Sequence, residues 1–327
     1  MEHSNKQLLS RRDFNRRCGA LSLSLPSASA TLVALSNERA SAAATNAELK
    51  AGGRTVKFRD GTMVSALGQG SWHLAEGRHP AALEEEALRA GVSLGMTLID
   101  TSGNYSDGHS EELISHVIAG QRDRIFVVSK IERDQVTGDG VARACDGSLA
   151  RLGTNYLDLY LLHWPVPSGQ FSGMVAGFEH LRAAGKIRAW GVSNFSVHQM
   201  EDLFRVPNGD RCATNQVPYS LSDRSIERDL LPWCEQRHLP VMAYSPLSGD
   251  GGTLVRDPTL MRIGAAHDCS AAAVALAWAI RSGNVIAIPE SGSVAHVKEN
   301  AVAFSLTLTP KELQTLNAAF PGPSGAE

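Results

Sequence analysis

Three successive apolar runs of the chain end on groups that can do chemistry. Thr97–Ile99 is followed by Asp100, Ile125–Ser129 by Lys130, and Leu157–Leu162 by His163. Tyr105 follows Asp100 at a spacing of five, in the turn Asp100-Thr101-Ser102-Gly103-Asn104-Tyr105. A phenol ionises only near pH ~10 and is a weak acid at neutrality. An ammonium beside it stabilises phenolate and is expected to lower that value. A carboxylate paired with the ammonium keeps it charged and in place. An imidazole next to the phenol can donate a hydrogen bond to a carbonyl oxygen. Together these groups could protonate an alkoxide as hydride arrives at carbon. No side chain supplies hydride, so a nicotinamide is implied. Taken alone, the stretch after Asp100 also reads as ordinary strand-to-helix turn chemistry, with Ser110 as helix N-cap.

The elements that must position these groups alternate. A hairpin is expected over Arg54–Arg59 and Thr62–Val64, around the turn Asp60-Gly61. A short strand near Ala66–Gly68 and a helix over Ala82–Leu94 come next. Further strands are expected at Thr97–Ile99, Ile125–Ser129, Leu157–Leu162, Ile187–Val192, Ala213–Val217, Val241–Tyr244 and Val285–Ile288. The helices between and after them are Glu111–Ile118, Gly140–Leu152, Phe171–Ala184, Val197–Phe204, Ile226–Arg237, Ser270–Arg281 and Val294–Ala301. Most of these strands are apolar on both faces, as in a parallel sheet covered by helices. Eight such units predict an α/β fold, a (β/α)8 TIM barrel with an N-terminal β-hairpin. A doubly wound open sheet is the alternative, but no G-x-G-x-x-G follows the first strand. In a barrel the strand ends crowd one rim. Here they are Gly70-Ser71-Trp72, Asp100, Lys130, His163-Trp164, Ser193-Asn194, Asn215-Gln216, Ser245 and Glu290-Ser291.

The 327-residue chain has 43% hydrophobic and 20% charged residues and a net charge of −3, an ordinary globular profile. Its longest apolar run, Ala271–Ile280, is too short to span a bilayer, which takes about 20 residues. The N-terminus is different. Ser10-Arg11-Arg12-Asp13-Phe14 is a twin-arginine pattern, followed by a weakly apolar Gly19–Leu35 and by Ala40-Ser41-Ala42. That order is read as an export signal over residues 1–42, cleaved after Ala42 and recognised by the twin-arginine translocase. The expected location is the periplasm, or the cytoplasm if the signal is not used. Removing residues 1–42 takes away six positive and three negative charges and leaves a body of net charge −6. An acidic body without basic blocks argues against nucleic acid or stable membrane association. Cys145, Cys212, Cys234 and Cys269 are scattered, without C-x-x-C, and read as core thiols rather than metal ligands. No metal is expected.

The stretches "LIDTSGNYSDG", "VVSK", "YLDLYLLHWP", "GKIRAWGVSNF", "TNQVPYS", "VMAYSPL" and "IPESGSVAHVKEN" resemble the aldo-keto reductase family, and the likeness runs from the hairpin to the C-terminus, about residues 54–321. Within it the chain looks most like the bacterial branch that includes methylglyoxal reductases. The resemblance implies a catalytic tetrad of Asp100, Tyr105, Lys130 and His163. It implies that Ser193, Asn194 and Gln216 hold the nicotinamide carboxamide, and that Tyr244 stacks on the ring. Ser245 and Leu247 match contacts to the pyrophosphate. Ser291, Glu299 and Asn300 match contacts to the adenosine end. Glu290 stands where the family often has Lys, and His296 where it often has Arg. Both cations clamp the 2′-phosphate of NADPH, so the expected cofactor is NADH or NADPH, with NADH accepted at least as well. The expected substrate is a small carbonyl compound, reduced to an alcohol. His163, Trp72 and Trp164 are expected to border it, the two tryptophans serving equally well as rim caps. His73, His79 and His109 are expected on the surface, Tyr219 as a loop aromatic and Trp278 in the core. The family also contains nucleotide-binding channel subunits with slow turnover, the second functional reading. The chain is expected to be a monomer.

Overall fold

The computed structural model describes residues 53–249 and 252–323, so the expected signal over residues 1–42 lies outside the described residues. The chain opens with an antiparallel hairpin, β1 (Thr55–Lys57) and β2 (Met63–Ser65), paired Val56 to Val64. An eight-stranded parallel sheet follows. Its strands are β3 (Gln69–Gly70), β4 (Leu98–Asp100), β5 (Phe126–Ile131), β6 (Leu157–Leu162), β7 (Ile187–Ser193), β8 (Asn215–Pro218), β9 (Val241–Tyr244) and β10 (Val285–Ala287). Each strand pairs with its neighbour in sequence. Bridges from Leu67 to Ala287 and from Gly70 to Glu290 join first to last. At this seam Gly68 N–H donates to Ala287 O (2.8 Å), Gly70 N–H to Pro289 O (2.9 Å) and Ala287 N–H to Ala66 O (2.9 Å). The sheet is therefore a closed barrel, and the open doubly wound alternative is excluded. Gly70 lets the seam close, because a Cβ there would stand 3.0 Å from Ile288 O.

The helices are α1 (Ala81–Ser93), α2 (His109–Ile118), α3 (Gly140–Leu152), α4 (Phe171–Ala183), α5 (Val197–Arg205), α6 (Leu230–Gln236), α7 (Pro258–Ala266), α8 (Ala271–Ala279), α9 (Val294–Ala301) and α10 (Pro310–Ala319). Every residue of β6 is buried, as both-face apolarity requires. All of α8 is buried as well, and its alanines let it pack closely. Trp278 is core, 1% exposed. Phe58 of the hairpin meets Phe126, the first residue of β5, edge to face at 5.8 Å between centroids. The hairpin thus covers the end where strands begin and leaves the opposite rim to the site.

Three expectations need correction. The first barrel strand is Gln69–Gly70 rather than Ala66–Gly68. Leu67 pairs only as an isolated bridge. Ser110 is not the cap of α2. The N-cap is Gly108, at φ 92°, and Ser110 is buried one residue inside, its hydroxyl 2.8 Å from Ser71 Oγ. Helices α7 and α10 were not foreseen. Their signals were Asp257-Pro258, where the acid accepts from Thr259 N–H (2.8 Å), and the capping box of Thr309 and Glu312. Cys145, Cys212 and Cys234 are buried and Cys269 half-buried, all as free thiols. Burial pushes the three buried thiols up to about 12.

Candidate active site

Asp100 closes β4 and Lys130 lies near the end of β5, one strand over. The Lys130 ammonium is buried and donates to Asp100 Oδ2 (2.7 Å), Thr101 O (2.8 Å) and Tyr105 Oη (3.0 Å). Its three hydrogens thus have three acceptors. Asp100 is 2% exposed, and its other oxygen accepts from Gln216 Nε2 at 2.7 Å. Tyr105 is held by a turn in which Ser106 (φ 49°), Asp107 (φ 54°) and Gly108 (φ 92°) are all left-handed. Such backbone is costly for residues other than glycine and recurs where function constrains geometry. Ser106 Oγ donates to Ala75 O (3.0 Å), pinning this turn to the loop after β3.

Burial works against the Lys130 charge, but Asp100 and then Tyr105 outweigh it, and its pKa stands above the ordinary lysine value. Tyr105 departs from expectation. Its pKa is raised, chiefly by burial, and Lys130 recovers only part of that rise while Asp100 adds to it. The first physical reason is burial, which penalises phenolate more than Lys130 favours it, and the pairing adds to it. An ammonium 2.7 Å from a carboxylate presents the phenol with a dipole rather than a bare charge. The phenol accordingly holds its hydrogen at neutral pH, the state a general acid requires.

His163 follows β6. Its ring lies edge-on to Tyr105 with centroids 5.9 Å apart, and Trp164 stacks beside it at 6.1 Å. Trp164 is 46% and Trp72 56% exposed, so both stand at the rim. Trp72 stacks on His73 at 4.4 Å. Next along the rim, Ser193 Oγ donates to Gln216 O (2.8 Å), and Asn194 Nδ2 donates to His163 O (3.2 Å) and Ser193 Oγ (3.1 Å). Tyr244 Oη donates to Asn194 Oδ1 (3.0 Å), which fixes its half-buried ring beside them. Burial raises the Tyr244 pKa, with Asp223 and Tyr105 adding to the rise. This is a neutral set of amides, a hydroxyl and an aromatic ring, and it fits a nicotinamide carboxamide and ring. Ser245 (φ 47°) and Ser248 (φ 75°) continue the strained backbone, and Leu247 packs half-buried against the core.

The other end is less unified. Asn300 of α9 is buried, while His296 and Glu299 are exposed on the same helix. Ser291 Oγ accepts from Ser293 N–H at 3.1 Å. Glu290 accepts from His73 N–H (2.8 Å) and pairs with His73 Nδ1 (3.1 Å). His73 is therefore not merely a surface residue but the partner of Glu290. Tyr219 is likewise no loose loop aromatic. It is 1% exposed, with its hydroxyl on Glu227 (2.6 Å).

Glu132 was missed altogether. It contacts His163 Nδ1 through Oε1. The available signal was an acid two residues beyond Lys130, which period-two alternation sends to the same side of the chain. A trio behind the site was missed too: buried Glu111 accepts from buried Ser129 Oγ (2.6 Å) and from Arg151 Nε (2.7 Å) of a half-exposed arginine.

A closed (β/α)8 barrel carrying Asp, Tyr, Lys and His on one rim defines an oxidoreductase class, and the chain belongs to the aldo/keto reductase family, whose model matches residues 66–320. It is 45% identical over 275 residues to methylglyoxal reductase YeaE of Escherichia coli (strain K12), covering 83% of this chain and 96% of that protein. It is 30% identical over 264 residues to glyoxal reductase of Bacillus subtilis (strain 168), covering 81% and 92%. Its fold matches an aldo/keto reductase from Klebsiella pneumoniae, crystallised with NADP and acetate, at a TM-score of 0.80 and 42% identity, covering 84% of this chain and 98% of that one.

Proposed function

We propose that this protein is an NAD(P)H-dependent reductase of small aldehydes and ketones, with dicarbonyls of the methylglyoxal kind as its leading substrate class. The observation that carries this reading is Lys130, whose ammonium joins Asp100 and Tyr105. When bound, reduced nicotinamide supplies the hydride that the side chains lack. Tyr105 gives its hydroxyl hydrogen to the carbonyl oxygen as that oxygen becomes alkoxide. Lys130 then faces the phenolate left behind, and Asp100 keeps the ammonium charged throughout. His163 orients the carbonyl, with Trp72 and Trp164 flanking the substrate. Ser193, Asn194 and Gln216 hold the carboxamide, Tyr244 the ring face, and Ser245 and Leu247 the pyrophosphate. Ser291, Glu299 and Asn300 take the adenosine end, where Glu290 and His296 offer no fixed cation pair for a 2′-phosphate. The kinship to methylglyoxal and glyoxal reductases supports the substrate class. The test is a steady-state screen of purified protein against small aldehydes with NADH and NADPH in parallel. Turnover of none of them would leave the slow, nucleotide-binding subunit as the better reading.

We further propose export by the twin-arginine route, supported by the residue order over residues 1–42. That route moves folded proteins, so nucleotide could be loaded before export and retained. In that case an alcohol substrate would re-reduce it in place. The test is fractionation, followed by denaturing the periplasmic protein and assaying released nucleotide. Substoichiometric nucleotide refutes retention, and an uncleaved cytoplasmic protein refutes export. The chain is read as a monomer, which size-exclusion chromatography checks.

A further inference from the structure

One contact beside the four central residues takes no part in the chemistry above. His163 Nδ1 is hydrogen-bonded to Oε1 of Glu132, a residue just past the end of β5. An ionised carboxylate has no hydrogen to give, so the hydrogen between the two atoms belongs to Nδ1. Ser102 Oγ lies 3.5 Å from the same nitrogen, a longer contact in which the hydroxyl oxygen can accept as a second partner. The two ring nitrogens are linked: a neutral imidazole with its hydrogen on Nδ1 has a bare Nε2.

We infer that Glu132 is a positioning residue that holds the His163 ring with its hydrogen on Nδ1, so that Nε2 meets a substrate carbonyl as a donor only while the ring is an imidazolium. The inference rests on the reductase reading for its consequence, though not for its geometry.

Both partners are set by backbone. His163 N–H donates to Ile131 O (2.9 Å), tying the end of β6 to the end of β5. Glu132 N–H donates to Gln135 Oε1 (3.3 Å), and Gln135 N–H returns to Glu132 O (3.1 Å), which locks the turn that carries the acid. The two side chains are 14% and 25% exposed, so the contact is shielded from water without being sealed. Glu132 lines a cavity of about 450 Å³ with the charged residues Lys130, Asp134, Arg143 and Arg151. Arg143 is paired with Asp139, and Arg151 with Glu111. Tyr105 lies edge-on to the His163 ring, and Lys130, which lines the same cavity, is paired with Asp100. Among the described residues, none of these charged groups is hydrogen-bonded to Nδ1.

The consequence concerns the developing alkoxide. An Nε2–H stabilises negative charge on the carbonyl oxygen, whereas a bare nitrogen lone pair repels it. Reduction should therefore follow the charge of the ring. In Glu132→Gln the amide can donate to Nδ1, and the neutral ring is then free to carry its hydrogen on Nε2.

The experiment labels histidine isotopically in the full chain and reads the ring nitrogens by NMR without nucleotide or substrate, with His163→Asn assigning the signals. The neutral His163 ring should carry its hydrogen on Nδ1 in the wild type and on Nε2 in Glu132→Gln. With methylglyoxal, wild-type kcat should fall about tenfold or more across the pH span where the ring loses its charge, and the variant less than about twofold. An Nε2–H tautomer in the wild type overturns the proposal, as does an unchanged tautomer in the variant. Parallel pH profiles with a changed tautomer overturn the link to catalysis. If Glu132→Gln does not fold, the wild-type tautomer alone decides. Failure of the reductase reading shows separately, as absence of wild-type turnover with the NMR result intact.

Discussion

Lys130→Met removes a buried ammonium and leaves most of its stem. Three hydrogen bonds go, at 2.7, 2.8 and 3.0 Å. The residue left in difficulty is Asp100, 2% exposed and, among the described residues, with a side-chain hydrogen bond from Gln216 alone. Removing one partner of a buried ion pair costs about 3–5 kcal/mol. At about 2–4 °C per kcal/mol for a chain of this size, the melting temperature should drop by roughly 6–20 °C. Turnover should fall about a hundredfold or more, because the phenolate loses its cation. These two losses have different origins, and the double variant Lys130→Met/Asp100→Asn separates them. The amide introduced by Asp100→Asn would carry no charge and would still meet Gln216, so most of the thermal loss should return. Turnover should not, since the phenol would still face no ammonium. The assay is thermal unfolding by circular dichroism together with kcat for an aldehyde. If kcat recovers with the melting temperature, Lys130 acts through folding alone and the general-acid reasoning is wrong.

Tyr105→Phe leaves Lys130 its bonds to Asp100 and Thr101, so stability should change by only about 1 kcal/mol. Carbonyl reduction should fall about 10²–10⁴-fold with nucleotide affinity nearly unchanged, and near-wild-type kcat would unseat Tyr105 as the acid. Glu290→Lys should move preference toward NADPH by about tenfold or more, measured as the ratio of kcat/KM values, and an unmoved ratio would show that position 290 does not meet the 2′-phosphate. Alkaline pH should destabilise the fold. Lys130, Tyr105 and the buried thiols all have folded pKa values above their ordinary ones, the thiols at about 12 against 9.0. Their contribution is complete below the unfolded values and is lost as pH rises toward the folded ones. Urea midpoints should therefore decline from about pH 9 upward, and a flat profile to about pH 11 would contradict this.

The barrel was legible because its strands are apolar on both faces and spaced by helices, a pattern that the complete burial of β6 makes necessary. The grouping of Asp100, Tyr105, Lys130 and His163 was legible because Asp100, Lys130 and His163 each stand at or near a strand end. What stayed hidden were facts of direction. Nothing in the type of residue 132 says that its carboxylate turns toward His163, and nothing in residue 290 says that it turns toward His73. The direction of the Tyr105 shift was misjudged for a related reason. The charge of a lysine is written in the sequence, but the burial of the phenol, which outweighs that charge, is a product of the fold, as is the acid 2.7 Å from the ammonium. Helices α7 and α10 were overlooked because their apolar faces are short, although both carry clear caps.

The seam between β3 and β10 works as the clasp of a bracelet. Leu67 and Gly70 meet Ala287 and Glu290 through bridges alone, whereas β6 and β7 pair from Leu157–Ile187 to Leu162–Val192. Local opening should begin where the ladder is thinnest, and amide exchange at Gly68 and Gly70 should outpace exchange in β6. Glu290 is part of that clasp twice over, through its backbone bridge to Gly70 and through its carboxylate on His73. Changing the side chain at residue 290 therefore removes one of these two ties, the one to His73, and leaves the backbone bridge in place. A change at position 290 would meet that mechanical constraint, and compensation is expected at His73 rather than at Gly70, where a Cβ would stand 3.0 Å from Ile288 O.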